Sequence, residues 1–358
     1  MLFTPGVIGS LEIPNRLIRS ATAERMADQQ GNPKPALFDL YRQLADGGVG
    51  MIITGHLYVD PTGKCHPEMT AIDNDDRLDD LKRLTNAVHE SGGLIAAQIN
   101  HGGGNCAPEV VQKPISPSGE IPGRFKQKPA EMTANQIQEV ITAFGSAARR
   151  AKEANFDAVQ IHSAHGYLVS QFLSPATNLR SDQWGGSLEN RSRFLMEVCR
   201  EVRGQVGPEY TVFLKFGIAD GIDGGLKPEE GFEILRHFEN WKLDAVEISS
   251  GFSGDQLQSI AKGINSQSKE GYFLPLVRQA RSNTDLPIIT VGGYRSRKVM
   301  EQVLLSGAAD FISLSRPLIR EPDLPRMFKN EEQDVSSCIS ANNCWVEDYN
   351  EGISCKCP

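Results

Sequence analysis

The feature that most constrains this chain is an alternation repeated eight times. Short apolar runs, most of them rich in Val and Ile, recur at RLIRSAT (16–22), VGMIITG (49–55), LIAAQIN (94–100), FDAVQIH (156–162), TVFLKFG (211–217), LDAVEIS (243–249), LPIITVG (286–292) and ADFISLS (309–315). Runs this short, with apolar residues on both faces, predict strands of a parallel sheet that is covered on both sides. Between them lie stretches of helical period, among them DRLDDLKRLTNAVHES (76–91), TANQIQEVITAFGSAARRAKEA (133–154) and RKVMEQVLLSGA (297–308). Thr133 with Gln136 predicts a capping box, and the pairs Gly47–Gly48, Gly92–Gly93 and Gly307–Ala308 predict helix ends. Eight strand–helix units in a row predict an α/β fold, a single closed (β/α)8 TIM barrel. The competing open doubly wound sheet carries a Gly-x-Gly-x-x-Gly turn after its first strand, and none follows residues 16–22.

The 358 residues suit one such barrel with insertions, expected over 1–330, followed by an irregular Cys-containing tail over 331–358. With 39% hydrophobic and 23% charged residues, the chain can bury a large core and is not expected to be disordered. The longest interruption, residues 101–132 after the third strand, holds five prolines and opens on glycines. It is expected to wall or cover a pocket on the active face. Residues 1–15 are expected to cover the opposite end of the barrel. A net charge of −8 and a pI near 5.5 argue against nucleic acid and anionic membrane surfaces as partners. No window approaches the roughly eighteen apolar residues of a membrane span. The start MLFTPGVIGSLEIPNR lacks the basic and apolar regions of a signal peptide. Seven cysteines, four of them in the last 21 residues, do not form a secreted disulfide framework, so a reducing cytoplasm is expected. The oligomeric state stays open, a homo-oligomer included.

In a (β/α)8 barrel the reacting groups stand at the C-terminal ends of the strands. The run ends supply Thr22, Gly55 with His56, Gln98 with His101, His162 with His165 and Tyr167, Lys215, Ser249–Ser250–Gly251, Gly292–Gly293 and Ser315–Arg316. Backbone N–H groups at Gly292 and Gly293, with Ser315 and Arg316, suit a phosphate. Across the barrel, Gln98 offers a donor and an acceptor for a heterocycle edge, and Lys215 can hold developing negative charge. A phosphorylated planar cofactor fits that division. His162 and His165, three apart, can donate to one carbonyl oxygen, and Tyr167 can supply a proton. A metal bound by His162-x-x-His165 is disfavoured, because the same segment offers no third carboxylate or thiolate ligand.

At these residues the chain resembles the Old Yellow Enzyme family of NAD(P)H:flavin oxidoreductases. The resemblance runs along nearly the whole chain: LFTP and IPNR near the start, QINHGG (98–103), the long block HSAHGYLVSQFLSPATNLRSDQWGGSLENRSRF (162–194), VGG (291–293) and SRPLIREPDLP (315–325). It implies non-covalent FMN, with NADH or NADPH as hydride donor and an electron-poor alkene as oxidant, sharing one pocket in a ping-pong cycle. Residue by residue it implies that Gln98 pairs with the flavin pyrimidine edge and that Lys215, where the family usually has Arg, stands beside N1 and O2. Gly292, Gly293, Ser315 and Arg316 would hold the phosphate. Ser20, Ala21, Thr22, Gly55 and His56 would line the ring. His162 and His165 would bind the activating oxygen, and Tyr167 would donate the proton. Three positions depart from the family. Ala23 stands where Thr or Cys often donates to the flavin, Gly104 replaces a frequent Arg, and Ser315 replaces a frequent Gly. The tail CISANNC…GISCKC is similar to the [4Fe–4S]-binding run of larger members related to 2,4-dienoyl-CoA reductase, whose additional domains lie outside this sequence. Ala341 falls where a ligand cysteine is expected, leaving Cys338, Cys344, Cys355 and Cys357, and a cluster is disfavoured on that ground. Two other readings stay open: a flavin-free barrel aldolase or isomerase acting through Lys215, and a flavin-holding barrel without this activity.

Overall fold

A computed structural model gives the architecture, and it describes residues 1–120, 127–252, 259–344 and 352–357. Eight strands run in chain order: β1 Leu17–Arg19, β2 Met51–Ile53, β3 Ile95–Asn100, β4 Ala158–Ser163, β5 Thr211–Gly217, β6 Ala245–Ser249, β7 Ile288–Thr290 and β8 Phe311–Leu314. Each pairs in parallel with the next, and β8 pairs with β1, so the sheet closes on itself. Every apolar run of the sequence coincides with one of these strands, β4 running one residue past its run, and helices such as Leu78–His89, Ala134–Glu153 and Leu188–Val206 connect them. The capping box at Thr133 and Gln136 is formed. Gly48, Gly92 and Gly307 take the left-handed conformation that a helix end needs, with φ of 83, 71 and 69°.

The strand period of two divides the barrel interior into layers. The lower layer is apolar: Ile18, Met51, Ile53, Ala96, Ala158, Phe213, Ala245, Ile289 and Phe311 pack together. Residues 1–15 close it from below as an antiparallel hairpin of Gly6–Ile8 and Leu11–Ile13, whose Ile8 and Ile13 join that cluster. The hairpin is tied to the strand starts, with Ser10 Oγ donating to Glu209 O at 2.8 Å and Arg16 Nη1 donating to Asp310 O at 3.2 Å. One step up the strands the interior turns polar. Gln98 lies opposite Gln160 across β3 and β4, and Lys215 opposite Glu247 across β5 and β6. A plain barrel core would carry Val, Ile or Leu there, so this layer is the floor of a site. Among the described residues no helix is long and apolar enough to cross a membrane.

Candidate active site

Above the polar layer the C-terminal strand ends surround a cavity of about 570 Å³. It is lined by Ser20, Ala21, Thr22, His56, Gln98, His162, His165, Tyr167, Lys215, Gly293, Ser315 and Arg316, all singled out by their place at strand ends or by the resemblance. Gly55 and Gly292 are not part of the lining. Gly55 packs against Glu24 and Thr22 O so closely that a Cβ would fall 1.9 Å from Glu24 Oε2. Gly292, at φ 139°, accepts a hydrogen bond from Tyr272 N through its carbonyl.

The loop after β4 brings the two histidines and the tyrosine together. His162 is the last residue but one of β4, then His165 and Gly166 adopt left-handed φ of 60 and 76° before Tyr167 caps the helix Leu168–Leu173. A non-glycine residue in that region is strained, and such strain is retained where surrounding contacts fix it. Here His165 Nε2 meets Ser249 Oγ at 2.8 Å, while a Cβ on Gly166 would come within 2.8 Å of the Phe252 ring. The His162 and His165 rings lie 5.4 Å apart, nearly perpendicular, and the Tyr167 ring is 4.9 Å from His162 and 5.1 Å from His56. His162 Nδ1 is buried with no hydrogen-bond partner. Burial first, then the charges of His165, His56 and Lys215, drives His162 well below the ordinary histidine value, and burial followed by Lys215 lowers His165 to about 3. Both imidazoles are therefore neutral near pH 7, each with one N–H to donate.

A single hydrogen-bonded chain runs beneath the cavity. Gln98 Nε2 donates to Gln160 Oε1 at 2.6 Å, and Gln160 Nε2 donates to Glu247 Oε2 at 2.9 Å. Glu247 Oε1 accepts from Lys215 Nζ at 2.8 Å and from Ser20 Oγ at 2.7 Å. Burial pushes the Glu247 carboxyl up, but Lys215, Ser20 and Gln160 together hold it below its ordinary value. Sequence reasoning singled out Gln98 and Lys215 and passed over Gln160 and Glu247. The signal was present: Gln98, Gln160, Lys215 and Glu247 each occupy the fifth place of their seven-residue run.

At the other end of the cavity, Thr22 Oγ1 and Ser315 Oγ are 2.8 Å apart, and Arg316 Nη1 donates to Ala261 O at 2.7 Å and to Asn342 Oδ1 at 2.6 Å. Ser340 and Asn342, from the tail, line the cavity beside them. This was also missed, because the cysteines drew the reading of the tail toward metal. Cys338 and Cys344 are buried, and Cys355 Sγ accepts from Arg320 Nη1 at 3.5 Å. The stretch between Cys344 and Gly352, and part of the 101–132 segment, lie outside the described residues.

Comparison with known proteins identifies the family and the fold. The family model of the NADH:flavin oxidoreductase / NADH oxidase family matches residues 1–334. The chain is 35% identical to an NADH oxidase of Thermoanaerobacter brockii over 95% of its own length and 52% of that protein's. It is 33% identical to an NADPH dehydrogenase of Bacillus subtilis, covering 91% of this chain and 93% of that one. Among solved structures, morphinone reductase in complex with tetrahydroNAD superposes with a TM-score of 0.80 at 28% identity, over 95% of this chain and 93% of that one. A 2-naphthoyl-CoA reductase complex superposes with a TM-score of 0.90 at 28% identity, over 96% of this chain and 54% of that one. The chain thus spans about half the length of some relatives, 52% for the NADH oxidase and 51% for a metal reductase of Desulforamulus reducens, and nearly all of others. On the matched residues, and on a closed barrel whose strand ends gather the site, the chain belongs to the NADH:flavin oxidoreductase / NADH oxidase family, the Old Yellow Enzyme family.

Proposed function

We propose that this chain is an FMN-dependent barrel that reduces activated carbon–carbon double bonds with NADH or NADPH as reductant. The observation that carries the reading is the meeting, in one cavity, of His162, His165 and Tyr167 with the Gln98–Gln160–Glu247–Lys215 chain. A cavity of about 570 Å³ is of ordinary size for a cofactor site. Its donor set fits FMN. Gln98 and Lys215 would meet the pyrimidine edge, and Gly293, Ser315 and Arg316, which line the cavity, would hold the phosphate. Ser20, Ala21, Thr22 and His56 would surround the ring. Bound there, FMN supplies hydride chemistry between the nicotinamide and the alkene. The chain's own groups do the rest. Neutral His162 and His165 donate to the substrate's carbonyl oxygen and stabilise the charge that gathers on it. Tyr167 delivers a proton to the alkene carbon next to that carbonyl. A Schiff-base role for Lys215 is the weaker reading, since its nitrogen is engaged by Glu247 and by Ser20 Oγ at 2.9 Å.

The test is stopped-flow measurement of the two half-reactions. His162→Ala or His165→Ala is expected to slow reoxidation by an enone about a hundredfold or more, the usual effect of losing one oxyanion donor. Tyr167→Phe is expected to slow reoxidation and leave flavin reduction by NAD(P)H nearly intact. If the tyrosine variant slows both halves equally, or the double histidine variant reoxidises at the parent rate, the assignment of the site fails.

A further inference from the structure

Glu247 is fully buried and stands behind the cavity wall, outside its lining. Both of its oxygens are engaged, Oε1 by Lys215 Nζ and Ser20 Oγ and Oε2 by Gln160 Nε2. A plain barrel would carry an apolar side chain at this depth, and a buried ion pair gains little over one. Stability is therefore a poor account of the carboxylate. Lys215, by contrast, lines the cavity. Its ammonium has three N–H donors. One goes to Glu247 Oε1 and one to Ser20 Oγ at 2.9 Å, and among the described residues no third acceptor engages it. The fields of both charges reach the cavity. At His165, after burial, Lys215 lowers the imidazole pKa and Glu247 raises it. The two residues thus act on one point of the wall with opposite sign.

We propose that Glu247 is a positioning residue for the hydride chemistry: through its pairing with Lys215 it cancels part of that cation's pull on the pyrimidine edge of FMN and keeps the reduced cofactor a stronger hydride donor. The proposal rests on the function given above, on FMN in this cavity in particular. Reduction of FMN places negative charge on its pyrimidine edge, and an uncompensated ammonium beside that edge favours the reduced form. A carboxylate oxygen 2.8 Å from the ammonium nitrogen offsets it. Ser20 and Gln160 donate to the same carboxylate and favour its ionised form, so the offset does not lapse through protonation. Gln160 also accepts from Gln98, which ties the placement of the carboxylate to the other group assigned to that edge.

The experiment measures the two-electron potential of bound FMN against a reference dye in the parent protein, in Glu247→Gln, in Lys215→Met and in the double variant. In Glu247→Gln the ratio of reduced to oxidised FMN at a fixed dye potential is expected to rise about tenfold, a shift of about 30 mV. In Lys215→Met it is expected to fall by a similar factor, because the carboxylate is then left alone. The double variant removes both charges and is expected to return close to the parent. Opposite signs in the two single variants are the mark of charge compensation, which a merely loosened site does not produce. A Glu247→Gln potential at or below that of the parent overturns the proposal. Where a single variant does not fold, the double variant decides. A potential close to the parent's supports compensation, and one clearly below it means that Lys215 acted unopposed and overturns the proposal. Sulfite, whose adduct with oxidised FMN puts negative charge on the same edge, gives a second reading: its affinity is expected to rise in Glu247→Gln and fall in Lys215→Met, and the reverse order overturns the proposal. Neither measurement needs an alkene. Failure to reduce enones therefore sinks the ene-reductase reading alone, unmoved potentials sink this proposal alone, and a protein that binds no FMN sinks both.

Discussion

Three donors converge on Glu247, a residue with no solvent exposure, and two of them share one oxygen: Lys215 Nζ at 2.8 Å and Ser20 Oγ at 2.7 Å, with Gln160 Nε2 at 2.9 Å on the other. A buried ion pair of this kind gains little net stability as a pair, but removing one partner strands the other. Glu247→Gln and Lys215→Met are each expected to destabilise folding by about 3–5 kcal/mol. The double variant is expected to cost clearly less than the sum, because neither charge is then stranded. Urea unfolding of the flavin-free protein reads both, and strictly additive losses would mean that the pair is not coupled. The same chain links Lys215 to Gln98 through Gln160, so the two groups assigned to the flavin's pyrimidine edge are positioned as a unit.

At the scale of elements, the tail acts on the cavity rather than merely following the barrel. Ser336 N donates to Arg295 O at 2.9 Å and Arg295 Nη2 donates back to Ser336 O at 2.8 Å, which docks the segment beside the helix Arg297–Leu305. Left-handed turns at Ser340 and Asn342, with φ of 53 and 63°, then fold it over the end of β8. There Gly263 N donates to Ser340 O at 3.0 Å and Asn342 Oδ1 receives Arg316 Nη1. Asn342→Ala removes an acceptor that orients the arginine assigned to the phosphate. FMN affinity is expected to fall about tenfold, since a hydrogen bond to a charged group is worth about 1.5–3 kcal/mol and part of it is recoverable by water. Fluorescence of FMN released on dilution measures this, and an unchanged dissociation constant would detach the tail from the cofactor site.

The molecule as a whole carries an unusual load of buried neutral histidine. Burial lowers His56 and His165 to about 3 and His101 to about 4, and lowers His162 strongly as well. In the unfolded chain these groups take protons near pH 6.5, whereas the folded protein refuses them until far lower pH. Stability is therefore fully present above about pH 6.5 and is lost as pH falls toward the folded values. Each imidazole contributes up to about 1.4 kcal/mol per pH unit in that window. Asp220 works the other way: burial raises its carboxyl to about 6, so it gains stability as pH falls below that value and offsets one histidine in part. The urea midpoint of the flavin-free protein is expected to drop steeply between pH 7 and pH 5. A midpoint that is flat or rising over that range would mean the histidines are solvated in solution.

The sequence by itself determined the eightfold strand–helix order and the closed parallel barrel, because strand and helix periodicity are local properties of contiguous residues. It also determined the positions of His162, His165, Tyr167, Gln98, Lys215 and Arg316, because in this fold a strand's last residues must face the active end. Only the tertiary structure decided which side chains touch. Closing the barrel laid Gln160 beside Gln98 and Glu247 beside Lys215, pairings that depend on register between strands whose starts lie 63 and 34 residues apart. It set Gly55 and Gly292 behind the cavity wall, where they serve close packing and a backbone hydrogen bond. It carried Ser340 and Asn342 back over the end of β8, although nothing in the tail's own residues points there. Periodicity and strand order are written within short windows, whereas a hydrogen bond between distant residues exists only once the sheet has closed.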